Sequence, residues 1–237
     1  MRINKYIANC GISSRRGAEL LIKENRVKLN NKIVSDLATE VNENNDTVSI
    51  DGNKIELVTK SIYIMLNKPK GCVCTKKDER GRKTIMDYVK LTDDKGVFHI
   101  GRLDYNSEGL ILLTNDGELA QKITHPSHEI PKTYIAKIKG NIPENDLAML
   151  RNGVVLDNSK THPCKIKLLE KDKDDICRYE VTIYEGRNRQ IRRMFEMINK
   201  EVVFLKRIAI GELRLGGLGR GLSRYLTERE INILKSM

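Results

Sequence analysis

From residue 62 onward the chain is a succession of apolar runs with the composition of strands: IYIML, FHIGRL, LILLT, TYIAKIKG, CKIKLLE, RYEVTIYE and VVFLKRIAI. Runs rich in Ile, Val, Leu and Tyr must each find strand neighbours, so a sheet is the only layer that can organise this part of the chain. Helices are expected at Thr84 to Val89, at Glu118 to Ile123, from after Pro143 to about Asn152, at Arg189 to Met197 and at Glu228 to Lys235. A Thr227/Glu230 capping box opens the last of these. Helices interspersed irregularly among strands predict an α+β domain on a large mixed, mainly antiparallel sheet over residues 61–237.

Residues 1–60 read as a separate small module. Ser13 and Ser14 can cap a helix whose apolar positions Ala18, Leu21 and Ile22 share one face, and Asn25 can stop it. VKL and KIV flank Asn30-Asn31, and VSIDGNKI turns at Asp51-Gly52; both pairs tolerate the positive φ of a tight hairpin. Val58 to Ser61 is the expected linker. Charge divides the module: residues 1–32 hold eight Lys/Arg against two Glu, residues 33–60 hold two Lys against six acids. Such polarity marks a docking face, with Arg2, Lys5, Arg15, Arg16, Arg26 and Lys28 as the candidates to meet phosphates.

The whole chain carries 43 Lys+Arg against 32 Asp+Glu, a formal +11, which favours a polyanionic partner, nucleic acid first. No apolar run approaches the roughly 20 residues of a bilayer span, and MRINKYIANCG lacks the apolar centre of a signal peptide. A cytoplasmic protein with no membrane partner is expected. The five cysteines form no C-x-x-C pair, so reduced, buried thiols are expected. His125 and His128 have no companions to complete a ligand set, so no metal is expected and they read as loop residues. The glycines of LGGLGRGLSR lack the strand-to-helix context of a nucleotide loop, and no cofactor is indicated. With no heptad stripe, a monomer is the expectation.

The segment FHIGRLDYNSEGLILLTNDGELA carries the chemistry. A strand is expected to deliver Arg102 and Asp104 to a polar turn before the chain re-enters LILLT. Such a carboxylate is accessible yet rooted in the core, which suits a nucleophile or general base; a turn aspartate capping its own loop is the plainer alternative. A second basic run, residues 185–229, holds 11 Lys/Arg against five Glu. On a helix Arg189, Arg192 and Arg193 lie on one face, and with Arg187, Lys206, Arg207 and Arg220 they could track a phosphate backbone; affinity would then fall steeply with salt.

GRLDYNSEGLILLTNDG resembles the active-site motif of bacterial ribosomal RNA pseudouridine synthases of the RsuA/RluB family. MRINKYIANCGISSRRGAELLIKENRV resembles their alpha-L RNA-binding module, and IMLNKPKG, IPKTYIAKIKG, EGRNRQIRRMF and EVVFLKRIAIGELRLGGLGRGLSRYLT resemble their remaining motifs. The resemblance implies a catalytic Asp104, a Tyr134 that packs on the target base, an Arg192 that pairs with the catalytic carboxylate, and a Leu205 beside the base, with Arg102 in the substrate pocket. It implies isomerisation of one uridine to pseudouridine on a flipped-out base, without metal or cofactor. Two places depart from the family pattern: Asn106-Ser107-Glu108-Gly109 has Ser where Thr is common, and Asn199-Lys200 replaces a Gly-His or Gly-Tyr. The later motifs look most like the large-subunit RluB type, so the expected partner is 23S rRNA, free or in a pre-ribosomal particle, ahead of 16S rRNA. The competing reading is a non-catalytic RNA-binding ribosome-assembly factor in which Asp104 is structural.

Overall fold

The computed structural model describes residues 1–90, 96–171 and 175–237. By its internal contacts the chain divides into two compact units. The first holds Met1–Tyr63 with residues 96–98 and Leu113–Gly117; the second holds Ile64–Lys90, the stretch His99–Leu112, and Glu118–Met237.

In the first unit, helices α1 (Ile3–Asn9) and α2 (Arg15–Lys23) pack on a four-stranded sheet of β1 (Val27–Leu29), β2 (Lys32–Ile33), β3 (Val48–Ile50) and β4 (Asn53–Lys54), in the order β2-β1-β3-β4. The Ser14 hydroxyl caps α2 by accepting from the Gly17 N–H at 3.0 Å. Asn25, at φ 58°, ends it: the Arg26 N–H reaches the Leu21 carbonyl and the Asn25 N–H that of Ile22. Asn30-Asn31 and Asp51-Gly52 take positive φ at both positions and close the two hairpins. Helix α1 escaped the sequence reading because Arg2 gives it no side-chain cap; its Ile3, Tyr6 and Ile7 are nonetheless buried at helical spacing.

The second unit is built on a nine-stranded sheet. Its strands are β5 (Tyr63–Lys68), β6 (Phe98–Ile100), β7 (Glu108–Thr114), β8 (Lys132–Lys139), β11 (Lys165–Lys171), β12 (Ile176–Ile183), β13 (Val202–Ile210), β14 (Leu213–Arg214) and β15 (Ser223–Tyr225), with a separate hairpin of β9 (Val155–Leu156) and β10 (Ser159–Lys160). The order is β11-β12-β8-β13-β7-β5-β15, with β14 on β13 and β6 on β7. The strands from β11 to β13 run antiparallel to one another, whereas β13 meets β7 in parallel, so the sheet is mixed. Helices α3 (Gly117–Thr124), α4 (Glu144–Arg151), α5 (Gln190–Glu196) and α6 (Glu228–Ser236) fall where helical periodicity was read. Leu147 and Leu150 of α4 and Ile191, Met194 and Phe195 of α5 pack with Ala136, Ile138, Tyr179 and Val181 of the sheet. Every residue of β5 and β7 is buried, the mark of strands covered on both faces.

Two expectations need correction. Thr84 to Val89 forms only a 3-10 turn, Ile85–Tyr88: the Thr84/Asp87 capping box opens it, and it ends where Val89 turns extended with its N–H on the Met86 carbonyl. FHIGRL is a strand only over Phe98–Ile100; the chain leaves the ladder at Gly101 (φ 67°), so Arg102 and Asp104 stand on a turn and not on a common strand face.

The parallel join of β7 and β13 pairs Glu108 with Lys206 and Gly109 with Arg207. Gly109 sits at φ 106°, and a Cβ there would overlap the Arg207 carbonyl oxygen and stand 2.6 Å from its nitrogen. Gly109→Ala is therefore expected to destabilise the protein by more than about 3 kcal/mol, read as a fall in the denaturant midpoint. The buried thiols give a second expectation. All five cysteines are free; burial pushes the Cys164 thiol up to about 11 and the Tyr179 hydroxyl up to about 12. A raised acid binds its proton more tightly folded than unfolded, so its contribution is whole below the unfolded value of 9.0 for Cys164 and is lost as pH climbs through about 11. Unfolding midpoints measured from pH 8 to 11 should fall in that window, and Cys164→Ala should flatten part of the fall.

Candidate active site

Asp104 stands on the turn between β6 and β7, half-buried, at the wall of a cavity of about 820 Å³. That volume lies within the roughly 300 to 1,000 Å³ of sites that take a small molecule or a single nucleotide-sized group. Arg102, Tyr134 and Leu205 line the same cavity, as do Arg187, Arg189 and Arg207, with Lys132, Cys74 and Ser107. Tyr134 comes from β8 and Leu205 from β13, neighbouring strands, and both are buried.

The turn itself is held through its backbone. Lys68 closes β5 with no exposed surface, and its ammonium donates to the carbonyls of Asp104 at 3.0 Å, Ser107 at 2.9 Å and Pro69 at 3.1 Å. The Gly71 N–H donates to the Tyr105 carbonyl at 3.0 Å, and Arg192 Nη2 to that of Asn106 at 3.3 Å. All four carbonyls from residue 104 to 107 are thus satisfied from two other parts of the fold. Within the turn, the Ser107 N–H bonds to the Asp104 main-chain oxygen at 3.0 Å and not to its carboxylate. The side chain is not the cap of its own loop, the plainer of the two roles open to a turn aspartate. Cys74 adds a further tether: its Sγ accepts from the Leu103 N–H at 3.3 Å and faces the Leu103 carbonyl at 3.2 Å.

Burial pushes Lys68 below the ordinary lysine value, while Cys72, Cys74, Asp104 and Glu108 push it back up. Arg192 is lowered by burial and then by Arg189, with Asp104 the first group acting the other way. Its guanidinium donates to the carbonyls of Val202 at 2.5 Å and Asn106, and makes no ion pair with Asp104. Arg192 therefore sits behind the turn, near enough to feel the carboxylate.

The basic residues expected to follow a phosphate backbone divide sharply. Arg2, Arg15, Arg16 and Lys28 are exposed, and Lys5 and Lys206 are half-buried. Arg26, Arg187, Arg189, Arg193 and Arg207 make specific contacts within the protein. Arg26 grips Asp51 at 2.6 Å and Glu24 at 3.1 Å. Arg187 binds Glu185 at 2.8 Å and the carbonyls of Leu156, Ser159 and Lys160, and Arg193 takes both Asp157 oxygens at 2.7 Å, so together they clamp the β9–β10 hairpin. Arg189 precedes α5 in the left-handed region and reaches Glu196 at 3.6 Å. Arg207 is 5% exposed and belongs to the cavity wall, not to an open surface. Arg102 is exposed at the rim.

A family model described as RNA pseudouridylate synthase matches residues 62–197, and an S4 domain model matches residues 1–47. The chain belongs to the RNA pseudouridylate synthase family. A ribosomal large subunit pseudouridine synthase B of Bacillus subtilis (strain 168) is 45% identical over 237 residues, covering 100% of this chain and 96% of the relative. An uncharacterized RNA pseudouridine synthase of Aquifex aeolicus is 40% identical over 233 residues, covering 98% and 92%. A crystal structure of a pseudouridylate synthase superposes with a TM-score of 0.72 at 34% identity, covering 99% of both chains. No helix among the described residues is long and apolar enough to cross a membrane.

For this synthase, sequence reasoning missed Lys68, Lys132, Cys74 and the cavity role of Arg207. Lys68 left one signal, a lysine closing the mainly apolar run YIMLNK, where a charge must find partners if the run is a buried strand. Asn199, the departure from the family pattern, adopts φ 54°, a conformation Asn tolerates well, so the turn after α5 is kept. Lys68→Met preserves the stem and removes three hydrogen bonds; stability should drop by about 2 to 4 kcal/mol. Turnover of the folded variant should fall at least about tenfold with KM little changed, because the lost contacts orient the turn and not the substrate. Denaturant unfolding and steady-state kinetics check the two parts.

Proposed function

We propose that the enzyme converts one uridine of 23S ribosomal RNA to pseudouridine, with Asp104 as its nucleophile or base. The observation that carries the assignment to Asp104 is a carboxylate released from every turn-capping duty, in a cavity shared with Tyr134 and Leu205. The large-subunit rRNA target rests on the Bacillus subtilis relative, whose name specifies that subunit. The target uridine leaves its stack to reach the cavity, the usual strategy for chemistry on an atom inside a helix. Tyr134 offers a flat surface for the base, Leu205 an apolar one, and Arg102 stands at the entrance. Stacking on an aromatic contributes roughly 1 to 3 kcal/mol per base. Arg192 supplies positive potential behind Asp104.

The reaction balances within the substrate. The bond from uracil N1 to the sugar C1′ breaks, a bond from C5 to C1′ forms, C5 loses a proton and N1 gains one. No electrons enter or leave, and no co-reactant is consumed. Arg2, Lys5, Arg15, Arg16 and Lys28 of the first unit present the charge for rRNA binding, and the enzyme acts as a cytoplasmic monomer.

Pseudouridine mapping on 23S and 16S rRNA, each as free RNA and as precursor particles, tests this directly. One new site in 23S rRNA is expected with wild type, and none with Asp104→Asn, whose RNA affinity should stay within about threefold. Turnover retained by Asp104→Asn rejects the catalytic assignment. A site in 16S rRNA rejects the large-subunit target, and RNA binding with no product in any substrate favours the assembly-factor reading.

A further inference from the structure

Besides the exposed Arg102 at the rim, two cations withdrawn into the cavity have no anionic partner among the described residues. Lys132 opens β8 two positions before Tyr134 and so shares its face of the strand. Tyr134 stands opposite Arg207 in the β8–β13 ladder, and all three side chains line the cavity. Arg207 Nε donates to the Leu110 carbonyl at 2.7 Å, Nη1 lies 3.5 Å from the Tyr134 hydroxyl, and Nη2 is buried without a partner. Lys132 is half-buried, and its ammonium makes no hydrogen bond or ion pair among the described residues. Of the two carboxylates in the lining, Glu185 is already taken by Arg187 at 2.8 Å, and Asp104 lies outside ion-pair distance of both cations.

Burying a cation with no counter-charge costs several kcal/mol, and a second cation beside it adds repulsion. Burial, and then Arg207, lower Lys132 below the ordinary lysine value. A folded protein keeps such an arrangement where an incoming anion relieves it. The uracil ring is neutral in the ground state and offers only carbonyl acceptors, whereas RNA brings one formal negative charge with every nucleotide. We propose that Lys132 and Arg207 form an anion subsite, inside the catalytic cavity, that takes a backbone phosphate adjoining the target uridine. Lys132 acts as a mobile point charge and Arg207 as a fixed fork, with the free Nη2 as the donor held ready. Both are positioning groups: the phosphate they fix sets the depth at which the nucleoside enters, with Tyr134, the residue Arg207 contacts, as the floor. The proposal rests on the pseudouridine synthase reading and deepens it by naming the part of the strand that enters with the base.

Binding of uridine and of its 3′- and 5′-monophosphates to wild-type enzyme, followed by ligand-observed NMR, gives the first test. At least one monophosphate should bind about tenfold more tightly than uridine, a margin typical of one charge-assisted contact. That margin should shrink below about threefold in Lys132→Gln and persist in Lys132→Arg, which keeps the charge. A wild type that prefers neither nucleotide, or binds none of the three, overturns the proposal, as does a preference untouched by Lys132→Gln. Neutral methylphosphonates placed singly on either side of the mapped uridine give the second test. One position should weaken wild-type RNA binding by about fivefold and Lys132→Gln by less than about twofold. A nucleotide preference with no sensitive backbone position would show that the subsite takes an anion other than the strand's phosphate, and the proposal fails. If no RNA becomes a substrate, the reading of the activity falls, while the nucleotide comparison still decides the subsite.

Discussion

The candidate site depends first on one buried ammonium. Lys68 ends a strand whose every residue is buried, so its stem is fixed by the core and its charge is delivered to the inside of the turn at residues 104–107. A lysine in that position needs oxygen partners, and a tight turn supplies inward carbonyls that need donors. The two requirements are met together. Because Lys68, Gly71 and Arg192 satisfy the turn from outside, the Asp104 carboxylate has no structural task left and can project into the cavity.

A second constraint joins parts of the chain roughly a hundred residues apart. Where β13 meets β7 in parallel, Gly109 lies against the Arg207 backbone so closely that no side chain fits. The contact fixes the exit of the Asp104 turn next to the strand that carries Leu205 and Arg207. The glycine after Glu108 in the sequence is therefore a requirement of strand approach, and the alignment of the cavity's two walls follows from it.

Much of this architecture was legible in the sequence. Local rules sufficed where a single side chain closes an element: Ser14 and Asn25 bounding α2, the Asn30-Asn31 and Asp51-Gly52 turns, and the Thr227/Glu230 box. They failed where long-range packing decides. A strand read through to Arg102 misses the break at Gly101, because FHIGRL keeps an apolar pattern after the ladder has ended. Helix α1 is invisible to capping rules and is held by burial of Ile3, Tyr6 and Ile7. In the site, the family resemblance implied that Asp104, Tyr134 and Leu205 surround one base, and the three line one cavity. Arg192 was expected on the carboxylate and instead braces the turn through the Asn106 carbonyl.

Charge is where sequence and structure part most clearly, since a run of arginines gives no hint of which ones already have partners. Arg26, Arg187 and Arg193 each hold a carboxylate of their own, so RNA would have to break an existing pair to recruit them. They would release few counterions on binding and add little to its salt dependence. The cavity has the opposite arrangement. Arg207 and Lys132 are withdrawn from solvent, where an unpaired cation costs most, and yet neither has a carboxylate. On the proposed function, positive charge left uncompensated where the nucleotide enters would act at short range and through low dielectric. It would select for how deeply the strand is seated more than for how often it is met.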